Sequence, residues 1–129
     1  MIIDTSALMA IVRQEPDAER YARAIESAAV RRMSASTLVE LSLVVEGQLG
    51  ADAMRQTHVL LRSSDILIEP FTEQQARIAH QAFCDFGKGK HPAGLNFGDC
   101  FAYALAKDMR EPLLFKGDDF SQTDVESAV

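Results

Sequence analysis

Residues 1–8 read MIIDTSAL, with Asp4 closing an apolar run of strand length and a helical pattern running on from Ser6 to about Arg13. A carboxylate at the inner end of a buried strand must be hydrogen-bonded, solvated or bound to a cation, because an unpaired buried charge costs many kcal/mol. The stretch therefore raises two questions together: what sheet the strand belongs to, and what receives Asp4.

Working outward, Pro16 suits the first turn of a second helix with Ala18, Tyr21, Ala22 and Ile25 at helical spacing. A brief strand near 32–35 leads into SASTLVELSLVVEGQLG, where Ser34 or Ser36 can cap a helix carrying Leu38, Leu41 and Val45 on one face. Another helix spans about 51–63, and DILIEP is a short strand stopped by Pro70. TEQQARIAHQAFCDF opens on a capping pattern, Thr72 with Gln75, and keeps Ala76, Ala79 and Phe83 on one side. GKGKHPAG is a loop, Asn96 can cap a helix running through Asp99 and Tyr103 to about Met109, and PLLFKGDDF supplies a last apolar strand and a glycine turn. Strands alternating with helices imply parallel pairing through right-handed crossovers. The predicted fold class is α/β, a three-layer α/β/α sandwich around a central parallel sheet, in a single domain over residues 1–129.

A chain of 129 residues with 47% apolar composition suits one core. Asp4 interrupts the N-terminal apolar stretch before a signal-peptide core forms, and no run approaches the ~20 apolar residues of a membrane span. A cytoplasmic protein without a membrane partner is expected. Cys84 and Cys100 lack a C-x-x-C spacing and read as reduced core thiols rather than a metal site. The net charge of −6 argues against broad attraction to a phosphate backbone, so a nucleic-acid substrate requires local cations or metal ions.

In an open parallel sheet the ligand site lies outside the carboxyl ends of the strands, near the switch in strand order. Asp4 ends the first strand, Asp118 and Asp119 follow the last, and Glu40 and Asp99 fall in the first turns of helices that start at the same edge. Each acid alone has an ordinary explanation. Asp99 suits a helix N-terminus, Glu40 a solvated helix face, and Asp118 or Asp119 a turn; Asp4 fits such an account least well. Together they place carboxylates from distant segments on one rim, where two at ~4 Å repel by ~4 kcal/mol at an effective dielectric near 20. A divalent cation reverses that sign, and an all-oxygen donor set suits Mg²⁺ or Mn²⁺ rather than zinc. Metal-assisted phosphodiester hydrolysis is the chemistry such a rim supports.

MIIDTSAL, the VE pair ending in Glu40, LNFGDCFAYALAK with Asp99 and PLLFKGDDFSQTD resemble a PIN domain, specifically a VapC-type toxin of a type II toxin–antitoxin system. The resemblance runs in order over essentially the whole chain. It implies an Mg²⁺- or Mn²⁺-dependent endoribonuclease that cleaves structured RNA of the tRNA or rRNA type and is neutralised by a VapB antitoxin. It also implies a homodimer, a toxin–antitoxin hetero-oligomer, and contact with operator DNA only through the antitoxin. Carried over by position, Asp4 and Asp99 are metal ligands, Glu40 helps hold the ion or positions the attacking water, and Ser6 orients a carboxylate or contacts a phosphate. The fourth acid is Asp119, before the aromatic, or its neighbour Asp118.

Lys88, Lys90 and His91 in the loop before Asp99, and Lys116 beside the last acids, are the candidate RNA contacts. Arg13, Arg31 and Arg32 read as surface or partner-facing. A face with Ala51, Met54, Val59, Leu60 and Leu61 suggests either core packing or a groove for an antitoxin helix. Two other functions are weighed: a catalytically silent PIN-like binding module acting through its partner, and an aspartyl-phosphate phosphotransfer domain. The second fits poorly, since Ser6 stands where dehalogenase-like hydrolases want an acid and the middle strand offers only Glu69.

Overall fold

The computed structural model describes residues 1–129. Ile2–Ile3 form β1, followed by α1 (Thr5–Val12), α2 (Ala18–Ser27), β2 (Arg31–Ser34), α3 (Ala35–Leu49) and α4 (Ala51–Ser63). Then come β3 (Ile66–Glu69), α5 (Glu73–Phe86), α6 (Phe97–Met109), β4 (Leu113–Leu114) and a 3-10 turn at Phe120–Gln122. The strands are parallel in the order β3-β2-β1-β4.

Period-2 alternation in β1 and β4 assigns the faces. Ile2 pairs in register with Leu113 and both enter the core packed under α5 and α6; Ile3 pairs with Leu114 and both enter the core shared with α1 to α4. All four are fully buried. Strands covered on both faces read as unbroken apolar runs, and each such side chain contributes about 1.5–3 kcal/mol of burial. Helices on both sides of one parallel sheet complete the expected three-layer sandwich.

The helix starts obey local rules. Ser34 caps α3 and Thr72 caps α5 through their side chains, and Asn96 and Asp99 form a reciprocal capping box on α6. At the far side of the sheet Arg32 binds Glu111 at 2.8 Å and Glu69 at 2.7 Å, while the N-terminal amine also meets Glu111. This network ties β1, β2, β3 and the approach to β4. Arg31 is likewise structural, donating to the carbonyls of Ile25, Glu26 and Ser64. Neither arginine is the free surface cation the sequence suggested.

Other expectations change. Helix α2 begins at Ala18, so Pro16 lies before it. The inward face of α5 is Gln75, Ala79 and Ala82, which turns Ala76 and Phe83 outward. On α4 only part of the suggested apolar face is a face: Met54 and Leu61 are buried, Leu60 is half-buried, and Ala51 and Val59 are exposed. Cys100 is buried as expected, whereas Cys84 is exposed. No helix is long and apolar enough to cross a membrane.

Candidate active site

The strand order reverses at β1: the chain proceeds from β1 to β2 and β3 on one side, then returns to place β4 on the other. The crevice at the carboxyl ends of β1 and β4 is therefore the topological switch point. Asp4 leaves β1 there, its backbone N–H donating to Leu114 O at 3.0 Å.

Asp4 is the N-cap of α1 and is 3% exposed. Its Oδ2 accepts from Ser6 N at 2.9 Å and Ser6 Oγ at 2.6 Å, while Oδ1 is buried with no hydrogen-bond partner. Burial pushes the Asp4 carboxyl up to about 6, the Ser6 hydrogen bonds act against that rise, and the charge of Glu40 adds to it. Glu40, on α3, is held by Thr5, whose hydroxyl donates to Oε1 at 2.5 Å. Its other oxygen lies over Gly98: a Cβ there would stand 1.5 Å from Glu40 Oε2. Glycine is the only residue that admits this approach to the start of α6.

Asp99 Oδ2 accepts from Asn96 N at 3.0 Å in the capping box. Burial lifts the Asp99 carboxyl to about 7 against that hydrogen bond, and the charges of Asp4, Asp119 and Glu40 raise it further. That Asp99 feels the charges of the other three is the electrostatic sign that they lie near it. Asp119 starts the 3-10 turn but makes no side-chain cap, so its carboxylate is not used by that turn. Asp118 and Asp119 are both exposed, and of the two it is Asp119 whose charge acts on Asp99.

The carboxylates act on one another without being packed into a closed shell: no three acids, histidines or cysteines stand close enough to hold an ion as the side chains lie. The donor set nevertheless suits a hard cation, because the buried Asp4 Oδ1 has no protein partner and every nearby candidate donor is oxygen.

The cationic residues separate into two groups. Lys88 and Lys90 are exposed in the loop before α6, with Lys90 Nζ 5.5 Å from the Phe83 ring centre. His91 is half-buried, stacked edge-on against Phe86, and its Nδ1 accepts from Ala93 N at 3.0 Å. Lys116 is not a free cation: it binds Asp17 at 2.8 Å and also pairs with Glu15. Two residues escaped the sequence reading, Thr5 and Gly98. The adjacency of each to an acid, in DTS and GDC, was the available signal.

The PIN-domain family model matches residues 1–126. The chain belongs to the PIN-domain family. Over 130 residues it is 51% identical to Ribonuclease VapC28 of Mycobacterium tuberculosis, an alignment covering 100% of this chain and 98% of that protein. This PIN domain is thus one of the VapC ribonucleases. The fold agrees with the crystal structure of M. tuberculosis VapC20, described as a sarcin-ricin loop cleaving toxin, at a TM-score of 0.78 and 17% identity over 96% of this chain and 95% of that one. A toxin–antitoxin complex from Klebsiella pneumoniae matches at a TM-score of 0.72 and 17% identity, covering 95% and 92%.

Proposed function

We propose that this VapC-family PIN domain, residues 1–129, is an Mg²⁺- or Mn²⁺-dependent endoribonuclease toxin acting in the cytoplasm. What supports the reading is the buried, unpartnered Asp4 Oδ1 at the switch point, together with the charges of Asp4, Glu40 and Asp119 acting on Asp99.

In this reading Asp4 and Asp99 hold the ion, Glu40 completes the site or orients the attacking water, and Asp119 rather than Asp118 is the fourth acid. A bound divalent ion supplies charge stabilisation at phosphorus and acidifies water. The protein supplies position. Ser6 fixes Asp4 Oδ2, Thr5 fixes Glu40 Oε1, and Asn96 fixes Asp99 Oδ2, so each of these three acids is anchored through one oxygen. Hydrolysis forms a bond from water oxygen to phosphorus and breaks a phosphorus–ribose oxygen bond, the water's proton leaving through the carboxylates and the ribose oxygen gaining one.

Lys88 and Lys90 provide phosphate contacts in the loop before α6, with His91 at its base. The substrate is structured RNA of the tRNA or rRNA type, recognised by shape as much as sequence. A VapB-type antitoxin neutralises the toxin, a homodimer is the working unit, and operator DNA is reached only through the antitoxin.

The test is cleavage of structured RNA by purified toxin freed of antitoxin. Activity should require Mg²⁺ or Mn²⁺, stop with chelator, and disappear in Asp4→Ala and Asp99→Ala proteins that remain folded by circular dichroism. Cleavage at the wild-type rate by both variants rejects the reading.

A further inference from the structure

Lys116 occupies an unusual junction. It follows β4 by two residues and precedes Gly117, whose φ of +102° turns the chain toward Asp118 and Asp119. Its backbone N–H donates to Ser6 Oγ at 2.9 Å, and that hydroxyl donates to Asp4 Oδ2 at 2.6 Å. Its ammonium points the other way, into the α1–α2 connection, where it meets Asp17 at 2.8 Å and Glu15. Asp17 starts α2 without capping it, so this carboxylate serves Lys116 rather than the helix end.

Two anchors on one residue thus join three segments: the connection after α1, the turn after β4, and the start of α1 where Asp4 sits. The ammonium is about one-third exposed and flanked by partners of similar exposure, so the pairs themselves add little to global stability. Their effect is local, on where the Lys116 backbone stands.

We propose that Lys116 is a positioning residue for the metal centre: Glu15 and Asp17 fix its side chain, which holds its N–H on Ser6 and thereby keeps Asp4 Oδ1 directed at the cation. This rests on the metal-binding reading of Asp4. Partners that orient a metal ligand typically contribute about ten- to a hundredfold to metal affinity. The sign separates positioning from charge. Removing a nearby cation should strengthen binding of Mn²⁺ by simple electrostatics, whereas losing the anchor should weaken it.

The experiment measures Mn²⁺ binding directly, by titration followed through the electron paramagnetic resonance of free Mn²⁺, on wild type, Asp4→Ala, Lys116→Met, Lys116→Arg and Glu15→Gln/Asp17→Asn. Lys116→Met is expected to weaken Mn²⁺ about tenfold, Lys116→Arg to recover most of that loss, and the acid pair variant to weaken it comparably. Should Lys116→Met not fold, Lys116→Gln carries the test, since it removes the same cation and the same partly exposed ion pairs, whereas the acid pair variant also loses two negative charges and weakens Mn²⁺ on either account. Unchanged or tighter Mn²⁺ binding in Lys116→Met or in the acid pair variant overturns the positioning role. So does a rise in KM for RNA with Mn²⁺ affinity intact, which would make Lys116 a phosphate contact. Wild type and Asp4→Ala binding Mn²⁺ equally would instead overturn the metal-binding reading itself, and this inference with it.

Discussion

Replacing Asp4 with asparagine tests the energetics of the site without any substrate. The Asp4 carboxyl is buried, and burial outweighs the Ser6 hydrogen bonds to raise it from the ordinary 3.8 to about 6. A carboxyl with a raised folded pKa binds its proton more tightly in the folded chain. Its stabilising contribution is complete below about pH 3.8 and is lost as pH climbs to about 6. At about 1.4 kcal/mol per tenfold in proton affinity, the loss is about 3 kcal/mol. Asp99, raised to about 7 by burial, acts with the same sign over a slightly wider window. Groups held low act elsewhere: Lys116 lowers Asp17, the Tyr103 hydroxyl lowers Asp124, and in Glu111 burial is outweighed by hydrogen bonds from the N-terminal amine and Arg32. Their stabilisation is lost as pH falls below about 4.5, leaving the higher range to the site acids.

Urea unfolding in chelator from about pH 4 to about pH 8 should therefore show wild-type stability falling with pH, and Asp4→Asn falling by about 3 kcal/mol less. Asparagine keeps the acceptor for Ser6 but places an amide donor where Oδ1 has no partner, a pH-independent cost of about 1–3 kcal/mol. The comparison must therefore be of slopes, not of absolute stability. Mn²⁺ at pH 8 should restore wild type and leave Asp4→Asn nearly unmoved. Superimposable slopes for the two proteins would refute the claim that Asp4 carries an uncompensated buried charge.

Gly98→Ala should lower RNA cleavage by about a hundredfold, because the new methyl displaces the Glu40 carboxylate, with a melting temperature close to wild type; full activity would show that Glu40's placement is unimportant. Leu105→Ala, at a fully buried position on α6, should cost about 2–5 kcal/mol in urea unfolding, and a cost well under that range would mean that this face of the sheet is not tightly packed.

The parts of the fold legible in sequence were those governed by short-range rules. Paired apolar residues in MIID and PLLF are buried on both faces, and the Thr72 and Asn96 caps form as their side chains dictate. What sequence could not resolve was which of two apolar faces meets the sheet. Ala76 and Phe83 share helical spacing with Ala79, yet the inward stripe of α5 runs through Gln75, Ala79 and Ala82, and Gln75 is accommodated there by donating its amide N–H to Asp108 at 3.0 Å. That partner lies 33 residues away and leaves no local trace. Lys116 misled for the same reason: its position beside the last acids suggested a phosphate contact, while the acids that occupy it come from the connection after α1.

The acids themselves show how a marginally stable chain tolerates a concentrated negative charge. Burial keeps Asp4 and Asp99 partly protonated near neutral pH without metal, which relieves repulsion that full ionisation would impose. The hydrogen bonds from Ser6, Thr5 and Asn96 fall on one oxygen each of Asp4, Glu40 and Asp99, so these donors set orientation without neutralising the group. A cation must then displace protons to bind, so its apparent affinity should rise with pH through about 7, where Asp99 is half ionised, and level off only beyond it. The site is thus poised between protons and metal, and the same unpartnered oxygen that destabilises the empty fold at high pH is the one that a divalent ion would stabilise.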